Sequence, residues 1–240
     1  MQHNDAIEAE LKTLRFYLTA AHECNYLDDK ESVSLFVDPQ YKISNTLYSH
    51  LSEMGFRRSG QHVYRPHCPD CRACLPMRVP VETFKANRSQ RRILKANAHL
   101  GMQIQRASFV EEHYRLYRKY MRWRHPGGGM DSDDPDAYHN LFASDWSDTW
   151  MYCFTDKDKT VAVAITDHLD NALSAVYTFY DPDLIQQSLG TYAVLQQVQQ
   201  ASENELPYVY LGYWVEACNK MAYKARFNPH EIFTGTHWQE

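Results

Sequence analysis

The sequence predicts an α+β fold in which a mixed β-sheet is flanked by helices. The second half alternates apolar, strand-like runs with a single helix, and the first half combines short strands with helical stripes and a cysteine-rich turn. Hydrophobic residues make up 44% of the 240 residues and charged residues 23%, which is typical of a globular chain that buries a core. No internal repeat or low-complexity tract interrupts this pattern.

The first half predicts short strands and three helices. The helix over 44–54 has a Ser/Asn cap, an apolar face of Leu47, Leu51 and Met54, and a stop at Gly55. The other predicted elements are strands at 14–19, 34–37, 62–65 and 77–81, a basic helix over 87–97, and a helix over 109–123 that a Pro-Gly run at 125–130 ends.

From residue 150 onward the pattern predicts strand, strand, strand, helix and strand. These elements are strands at 150–154, 161–166, 173–180 and 207–214, a helix over 190–204, and a last strand at 231–236. The order matches the second half of an acyltransferase fold of the N-acetyltransferase (GNAT) type. We therefore predict a cysteine-bearing N-terminal region at 1–105 and an acetyltransferase-like core at 106–240.

Basic residues concentrate between residues 55 and 95. This stretch holds ten of the 25 Lys and Arg residues and only two acidic ones, so its charge is +8 while the whole chain carries −5. Such segregation indicates an anionic partner, and a solvated basic surface is the alternative. Guanidinium groups bind carboxylates and phosphates bidentately. The arginines concerned are Arg57, Arg58, Arg65, Arg78, Arg88, Arg91 and Arg92.

Three of the six cysteines, Cys68, Cys71 and Cys74, follow one another at two-residue gaps in the same stretch. With Cys24 they offer four thiolates, which are the ligands that zinc and iron–sulfur clusters take. The alternative is a reduced cysteine cluster that packs a Pro-rich turn. Both interpretations stay open.

Residues 187–192 resemble the coenzyme A pyrophosphate loop of acetyltransferases only in part. Gln187 and Gly190 fit that loop, in which backbone N–H groups at a helix start hold the phosphates. Tyr192 stands where a small residue is required, which argues against coenzyme A. The strand over 207–214 is rich in aromatic residues that stack a base or pack a core; strand alternation places Tyr208, Tyr210 and Trp214 on one face and Tyr213 on the other.

Several ordered motifs resemble the aminoacyl-tRNA–protein transferases. They lie at 55–60 (GFRRSG), 64–74 (YRPHCPDCRAC), 89–92 (SQRR), 179–183 (FYDPD), 188–190 (SLG), 206–214 (LPYVYLGYW) and 220–224 (KMAYK), and the resemblance runs from about residue 16 to residue 233. The bacterial branch of this family implies transfer of leucine from leucyl-tRNA to the N-terminal α-amine of proteins that begin with Asp or Glu, which marks them for degradation. It implies no required cofactor.

The reaction that the resemblance implies leads to hypotheses about individual residues. Because an α-amine has a pKa near 8, aminolysis of the aminoacyl ester needs positioning and hydrogen-bond donors more than a strong base. The expected donors or proton relays are Tyr177, Tyr180, Ser188, Tyr210 and Lys220. We expect Arg65 and Arg78 to hold the acidic side chain. Arg88, Arg91 and Arg92 are expected to hold the tRNA, and Arg57, Tyr64, Gly190, Tyr192, Tyr213 and Trp214 complete the predicted substrate site.

No secretory signal and no apolar run of about 20 residues are present, so we expect a cytoplasmic protein with no membrane partner. Three alternatives stay open: an acyl-coenzyme A-dependent enzyme, an arginyl rather than a leucyl donor, and a non-enzymatic RNA- or metal-binding module. The acidic total charge is unusual for a general RNA binder.

Overall fold

The computed structural model describes residues 2–124, 134–142 and 144–240, with the backbone alone for residues 2–6 and 8. The predicted Pro-Gly run at 125–130 lies outside the described residues. No helix in the described ranges is both long and apolar enough to cross a membrane.

Two main sheets form the framework. The small sheet has the order β1-β4-β6-β5, and the large sheet has eight strands in the order β14-β13-β7-β12-β11-β10-β9-β8. The strands of the small sheet are β1 (Phe16–Leu18), β4 (Ser34–Val37), β5 (Arg57–Ser59) and β6 (His62–Pro66). Those of the large sheet are β7 (Leu75–Pro80), β8 (Gly101–Arg106), β9 (Thr149–Asp156), β10 (Lys159–His168), β11 (Ala172–Tyr180), β12 (Tyr208–Trp214), β13 (Glu231–Phe233) and β14 (Trp238–Gln239). A short pair, β2 (His22–Glu23) and β3 (Glu31–Ser32), lies apart from both.

The helices are α1 (Gln2–Thr13), α2 (Asn45–Glu53), α3 (Arg88–Ala96), α4 (Glu111–Arg124), α5 (Pro135–His139) and α6 (Leu189–Glu203). Of these, α4 and α6 cover the two faces of the large sheet. Alternate residues of β10 separate the faces, because successive strand side chains point in opposite directions. Ala162 and Ala164 belong to the core that α6 covers, whereas Val163 and Ile165 belong to the core that α4 covers. A third core lies between α2, the small sheet and Tyr210.

Most predicted elements are present at nearly their predicted positions. Ser44 caps α2 by accepting a hydrogen bond from the Leu47 amide, and Asn87 and Gln90 form a capping box on α3. Met54 was predicted to be part of the buried face of α2, and that prediction is wrong. Met54 is the C-cap residue and is 41% exposed, because the chain has already left the helix there. The elements α1, β5 and β8 were not predicted from the sequence.

The aromatic strand β12 differs from the predicted alternation. Its pairing with β7 shifts between Tyr210 and Gly212, which is a bulge. Tyr213 is therefore on the side of the small sheet, where its hydroxyl donates to the carbonyls of Gly55 and Tyr64. Trp214 packs on the core that α6 covers, so the prediction that Trp214 shares a face with Tyr208 and Tyr210 is wrong.

The predicted boundary at residue 105 falls near the end of β8. All of β7 and nearly all of β8 lie before that boundary, and both strands belong to the large sheet. The segment before residue 106 therefore supplies the small sheet together with an internal strand and an edge strand of the large one.

Arg58 joins the small sheet to the large sheet. Its guanidinium donates two hydrogen bonds of 2.6 Å to the Asp167 carboxylate on β10, and both side chains are fully buried. Tyr48 and Thr149 also donate to this carboxylate, and Arg58 further donates to the carbonyls of Gly60 and Leu141. Every charge is thus matched, which is the condition under which a buried ion pair is tolerated.

Replacing Asp167 with Asn should leave the Arg58 guanidinium buried without a counter-ion. The expected loss in the free energy of unfolding is about 3–5 kcal/mol, measured by urea denaturation. The matched control is Glu111→Gln, because the ion pair of Glu111 with Arg115 is exposed and should cost about 0–1 kcal/mol. Equal losses of unfolding free energy in the two variants would contradict the conclusion that the buried Arg58–Asp167 pair stabilises the fold.

Candidate active site

The candidate site is the gap that opens between β11 and β12. These neighbouring strands are parallel, and they pair only at Ala172, Leu173 and Ser174 of β11. Beyond that point β11 continues beside β10, while β12 continues beside β7. The edge of β11 over 175–177 that faces β12 therefore pairs with no strand of the described residues, and its residues are half-buried. Its backbone can bind another extended chain or a side chain with hydrogen-bonding groups.

Arg57 of β5 reaches into this gap. Its Nη2 donates to the Ala175 carbonyl at 2.7 Å and, at 3.4 Å, to that of Val176. Gly212 of β12 makes room for it, because a Cβ built on Gly212 would lie 1.3 Å from Nη1 of Arg57. The φ of +76° at Gly212 also favours glycine. The Arg57 guanidinium thus hydrogen-bonds β11 and packs directly against Gly212 of β12.

Lys224 lies beside Arg57 on a 3₁₀ turn (Ala222–Arg226) that follows β12. Its side chain is buried, and its Nζ donates to the Tyr213 carbonyl at 2.5 Å. Burial, and next the nearby charge of Arg57, lower the pKa of Lys224 from 10.5 to about 7. Lys224 therefore exchanges its proton near neutral pH.

Three tyrosines lie near enough to Arg57 to feel its charge. Burial raises the pKa of Tyr26 to about 12 and raises the pKa values of Tyr64 and Tyr213, which outweighs the lowering by Arg57. These hydroxyls therefore stay protonated at neutral pH and place no negative charge near Arg57. The Tyr213 hydroxyl donates to the carbonyls of Gly55 and Tyr64.

The end of β11 and the start of α6 form the other side of the site. Tyr180 packs edge-on against Tyr120 with ring centroids 4.9 Å apart, and Gly190 leaves room for it, since a Cβ there would lie 3.2 Å from the Tyr180 ring. Ser188 precedes α6 in a left-handed conformation, with φ of 55°, and its side chain caps no amide. Tyr177 donates to the Met121 sulfur, and burial raises its pKa, so it too stays protonated.

The structure separates the other predicted site residues from this group. Tyr192 is buried in the core and packs on Phe154, with ring centroids 5.4 Å apart. Tyr210 is buried beside Arg78, and burial raises its pKa to about 12. Lys220 is exposed on the loop after β12. Trp214 is half-buried, and its indole N–H has no hydrogen-bond partner among the described residues.

Arg78 is enclosed by aromatic rings and already has a counter-ion. Its Nε donates to the Glu231 carboxylate at 2.6 Å, and its guanidinium lies 3.5 Å from the Tyr208 ring centroid and 4.3 Å from that of Trp238. These contacts join β13 and β14 to the rest of the large sheet. Its predicted role in holding a substrate carboxylate stays a prediction, and Glu231 occupies that position here.

The remaining predicted arginines are more accessible. Arg65 is half-buried on β6, with its guanidinium 4.9 Å from the Phe56 ring centroid. Arg88, Arg91 and Arg92 are exposed on α3. The C-cap residue of α3, Asn97, donates to the Gln187 carbonyl at 2.9 Å, so this basic helix ends next to the segment that leads into α6.

The cysteines converge without forming a closed metal site. All six are free thiols, and burial, followed by the influence of Cys24, Cys68 and Cys71, raises the pKa of Cys74 to about 12. Within the described part of the chain, no group of three or more His, Cys, Asp or Glu side chains is arranged to hold a metal ion. In this arrangement the residues do not fit a metal centre, and zinc or an iron–sulfur cluster stays a prediction.

Lys224 was not assigned to the site from the sequence. Its segment, KMAYK at 220–224, belongs to the motifs that carry the family resemblance, but only Lys220 has a predicted role there. The sequence indicated only that Lys224 follows the apolar strand β12 within a motif, and the burial of its side chain could not be inferred from that. Nor could the sequence show that Arg57 and Gly212, which lie far apart along the chain, fill one space.

Comparisons with known proteins agree over nearly the whole chain. Models described as "Arginine-tRNA-protein transferase, N terminus" and "Arginine-tRNA-protein transferase, C terminus" match residues 22–92 and 112–234. A relative named aspartate/glutamate leucyltransferase in Alcanivorax borkumensis is 48% identical over 231 residues, which is 96% of each chain. A relative of the same name in Teredinibacter turnerae is 46% identical over 230 residues, which is 95% of each chain.

A solved structure shares the fold at much lower sequence identity. The C-terminal domain of a lysylphosphatidylglycerol synthetase candidate from Agrobacterium fabrum is 14% identical, with a TM-score of 0.50 over 80% of this chain and 64% of that chain. This likeness shows the fold alone. Together with the mixed sheet and the parallel β11–β12 pair, it confirms the predicted acetyltransferase-like α+β class.

The lowered pKa of Lys224 makes the stability of the fold depend on pH. Between pH 7 and pH 9 the folded protein loses this proton while the unfolded chain keeps it, so the free energy of unfolding rises with pH. Relative to Lys224→Met, the unmutated protein should gain about 2 kcal/mol over this range, measured by urea denaturation. The control is Lys157→Met in the β9–β10 turn, whose exposed side chain is solvated in both states. An unchanged difference between the Lys224 variant and the parent would contradict the assigned protonation.

Proposed function

The chain belongs to the arginine-tRNA-protein transferase family, and we propose that it transfers leucine from leucyl-tRNA to the N-terminal α-amine of proteins that begin with Asp or Glu. The observation that carries the donor and acceptor assignment is the 48% identity to an aspartate/glutamate leucyltransferase over 96% of both chains. The product would be a protein with an added N-terminal leucine, marked for degradation. The reaction would take place in the cytoplasm, where aminoacyl-tRNAs are made.

The chemistry is aminolysis of the ester that links leucine to the terminal adenosine. The amine nitrogen forms a bond to the leucyl carbonyl carbon, the ester C–O bond breaks, and the ribose hydroxyl leaves with a proton that the amine gives up. Tyr177 and Tyr180 have raised pKa values because they are buried, so they act as hydrogen-bond donors rather than as bases. Tyr177 would exchange its hydrogen bond to the Met121 sulfur for one to the substrate. We place these donors, with Ser188, on the side of the gap that stabilises the developing oxyanion.

The position of Tyr192 supports a donor other than coenzyme A. A pyrophosphate loop needs close approach of backbone amides at the helix start. Tyr192 is a buried core residue at the first turn of α6, where it packs on Phe154. Arg57 reaches into the gap between β11 and β12 and narrows it. Both features support aminoacyl-tRNA as the donor, with no required cofactor.

The exposed face of α3 would bind the tRNA acceptor end. Arg88, Arg91 and Arg92 carry positive charge with no acidic residue in the helix. The hydrogen bond from Asn97 to Gln187 places the end of α3 next to the start of α6. A phosphate backbone on α3 would therefore bring the aminoacyl end to the gap.

We propose that Cys24, Cys68, Cys71 and Cys74 support the arginine-bearing strands rather than take part in the reaction. Cys68 donates to the Val33 carbonyl, and Cys74 directly precedes β7. Zinc or an iron–sulfur cluster at these thiols would need their positions to change, and the reaction as written needs neither.

The purified protein should transfer radiolabelled leucine from leucyl-tRNA to peptides that begin with Asp or Glu, and not to peptides that begin with Lys. Arginyl-tRNA, free leucine with ATP, and acetyl-coenzyme A serve as alternative donors. Arginine as the transferred label would correct the donor, and acetyl transfer would contradict the family-based proposal.

Reversing the three α3 charges, with Arg88, Arg91 and Arg92 each changed to Glu, should raise the KM for leucyl-tRNA and reduce its dependence on salt, since fewer phosphate contacts release counterions. The KM for the peptide should stay unchanged. The matched control reverses three exposed lysines elsewhere, Lys30, Lys42 and Lys157. An equal rise in KM in that control would show a general charge effect instead of a tRNA-binding surface.

A further inference from the structure

Two cations meet in the gap between β11 and β12, and neither has an acidic partner among the described residues. Arg57 donates to the Ala175 carbonyl, and Lys224 donates to the Tyr213 carbonyl. No Asp or Glu in the described part of the chain forms an ion pair with either one. The groups that act on the charge of Lys224 are Arg57, Cys218 and Cys74.

This arrangement of the half-buried Arg57 and the buried Lys224 contrasts with that of Arg58 and Arg78, the buried arginines of the described residues. Arg58 has Asp167 as its counter-ion, and Arg78 has Glu231, each at 2.6 Å. Burying a cation without a counter-ion is costly. The lowered pKa of Lys224 is the response of the protein to that cost. A negatively charged group that enters the gap would remove this cost.

We propose that Arg57 and Lys224 bind the side-chain carboxylate of the N-terminal Asp or Glu of the protein substrate. This inference rests on the proposed function, and it assigns the acid-reading role to these two residues rather than to Arg65 and Arg78. The bound carboxylate stabilises the protonated form of Lys224 and accepts hydrogen bonds from the Arg57 guanidinium. Substrates with Asn or Gln at the same position offer no charge and leave the two cations uncompensated.

The surroundings of the pair favour a carboxylate over a phosphate. Lys224 is only 6% exposed, so a nucleic acid backbone cannot lie along it, whereas a single side-chain carboxylate is small enough to approach its Nζ. The β11 edge over 175–177 lies next to Arg57, which bonds the Ala175 and Val176 carbonyls, so an extended peptide would share this edge with the Arg57 guanidinium. The four-carbon stem of Lys224 adapts to the one-methylene difference between Asp and Glu.

The test compares peptides that begin with Glu and with Gln in the leucine-transfer assay. Lys224→Met should lower kcat/KM for the Glu peptide by at least about tenfold and leave that for the Gln peptide unchanged, since a hydrogen bond between charged groups is lost. Lys157→Met, which removes one exposed lysine from the β9–β10 turn, should keep the parental ratio. An equal fall for both peptides, or an unchanged ratio, would overturn the proposal.

A second measurement uses the unmutated protein and so does not depend on how the variant folds. Reductive methylation of lysines at pH 7.5, a roughly neutral pH at which a lysine with a lowered pKa reacts readily, is followed by mass spectrometry. A Glu-Ala dipeptide should slow methylation of Lys224, a Gln-Ala dipeptide should not, and Lys157 should react equally with both. Equal rates at Lys224 would refute the binding site. Absence of any leucine transfer by the unmutated protein would instead refute the proposed function.

Discussion

Two adjacent arginines of β5, Arg57 and Arg58, join the small sheet to the large sheet through two different kinds of contact. Arg58 turns into the interior and forms a fully matched ion pair with Asp167 of β10. Arg57 turns into the gap beyond the last pairing of β11 with β12, where Gly212 makes room for it. The small sheet is thereby fixed against the large one at the place where the strands diverge. The position of the candidate active site depends on this junction.

The distribution of counter-ions divides the basic residues by role. Arg58 and Arg78 are buried with Asp167 and Glu231, so their charges serve the fold. Arg57 and Lys224 lie in the gap with no carboxylate from the described residues, and their charges serve the substrate in the proposed reaction. The exposed arginines of α3 form the surface proposed for tRNA. One local excess of positive charge in the sequence thus corresponds to three physically different environments.

Features set by neighbouring residues could be predicted from the sequence, and features set by distant contacts could not. The caps at Ser44 and Asn87 use hydrogen bonds within one turn, so α2 and α3 were predicted at nearly their observed bounds. The exposure of Met54 and the bulge that turns Trp214 to the other face of β12 depend on where the chain turns and on what packs against it. The predicted faces of Met54 and Trp214 were therefore wrong. The basic stretch indicated an anion, but the choice among its arginines required knowledge of where Asp167 and Glu231 lie.

A crystal structure with a bisubstrate analogue would test the central claim most directly. In such an analogue, a stable tetrahedral group takes the place of the leucyl carbonyl carbon and joins adenosine to the amine of a peptide that begins with Glu. The account predicts that the Glu carboxylate binds between Arg57 and Lys224, that the leucyl carbon lies near Tyr177 and Tyr180, and that the peptide follows the β11 edge. An analogue bound with its carboxylate at Arg65, or at Arg78 after displacement of Glu231, would contradict the account.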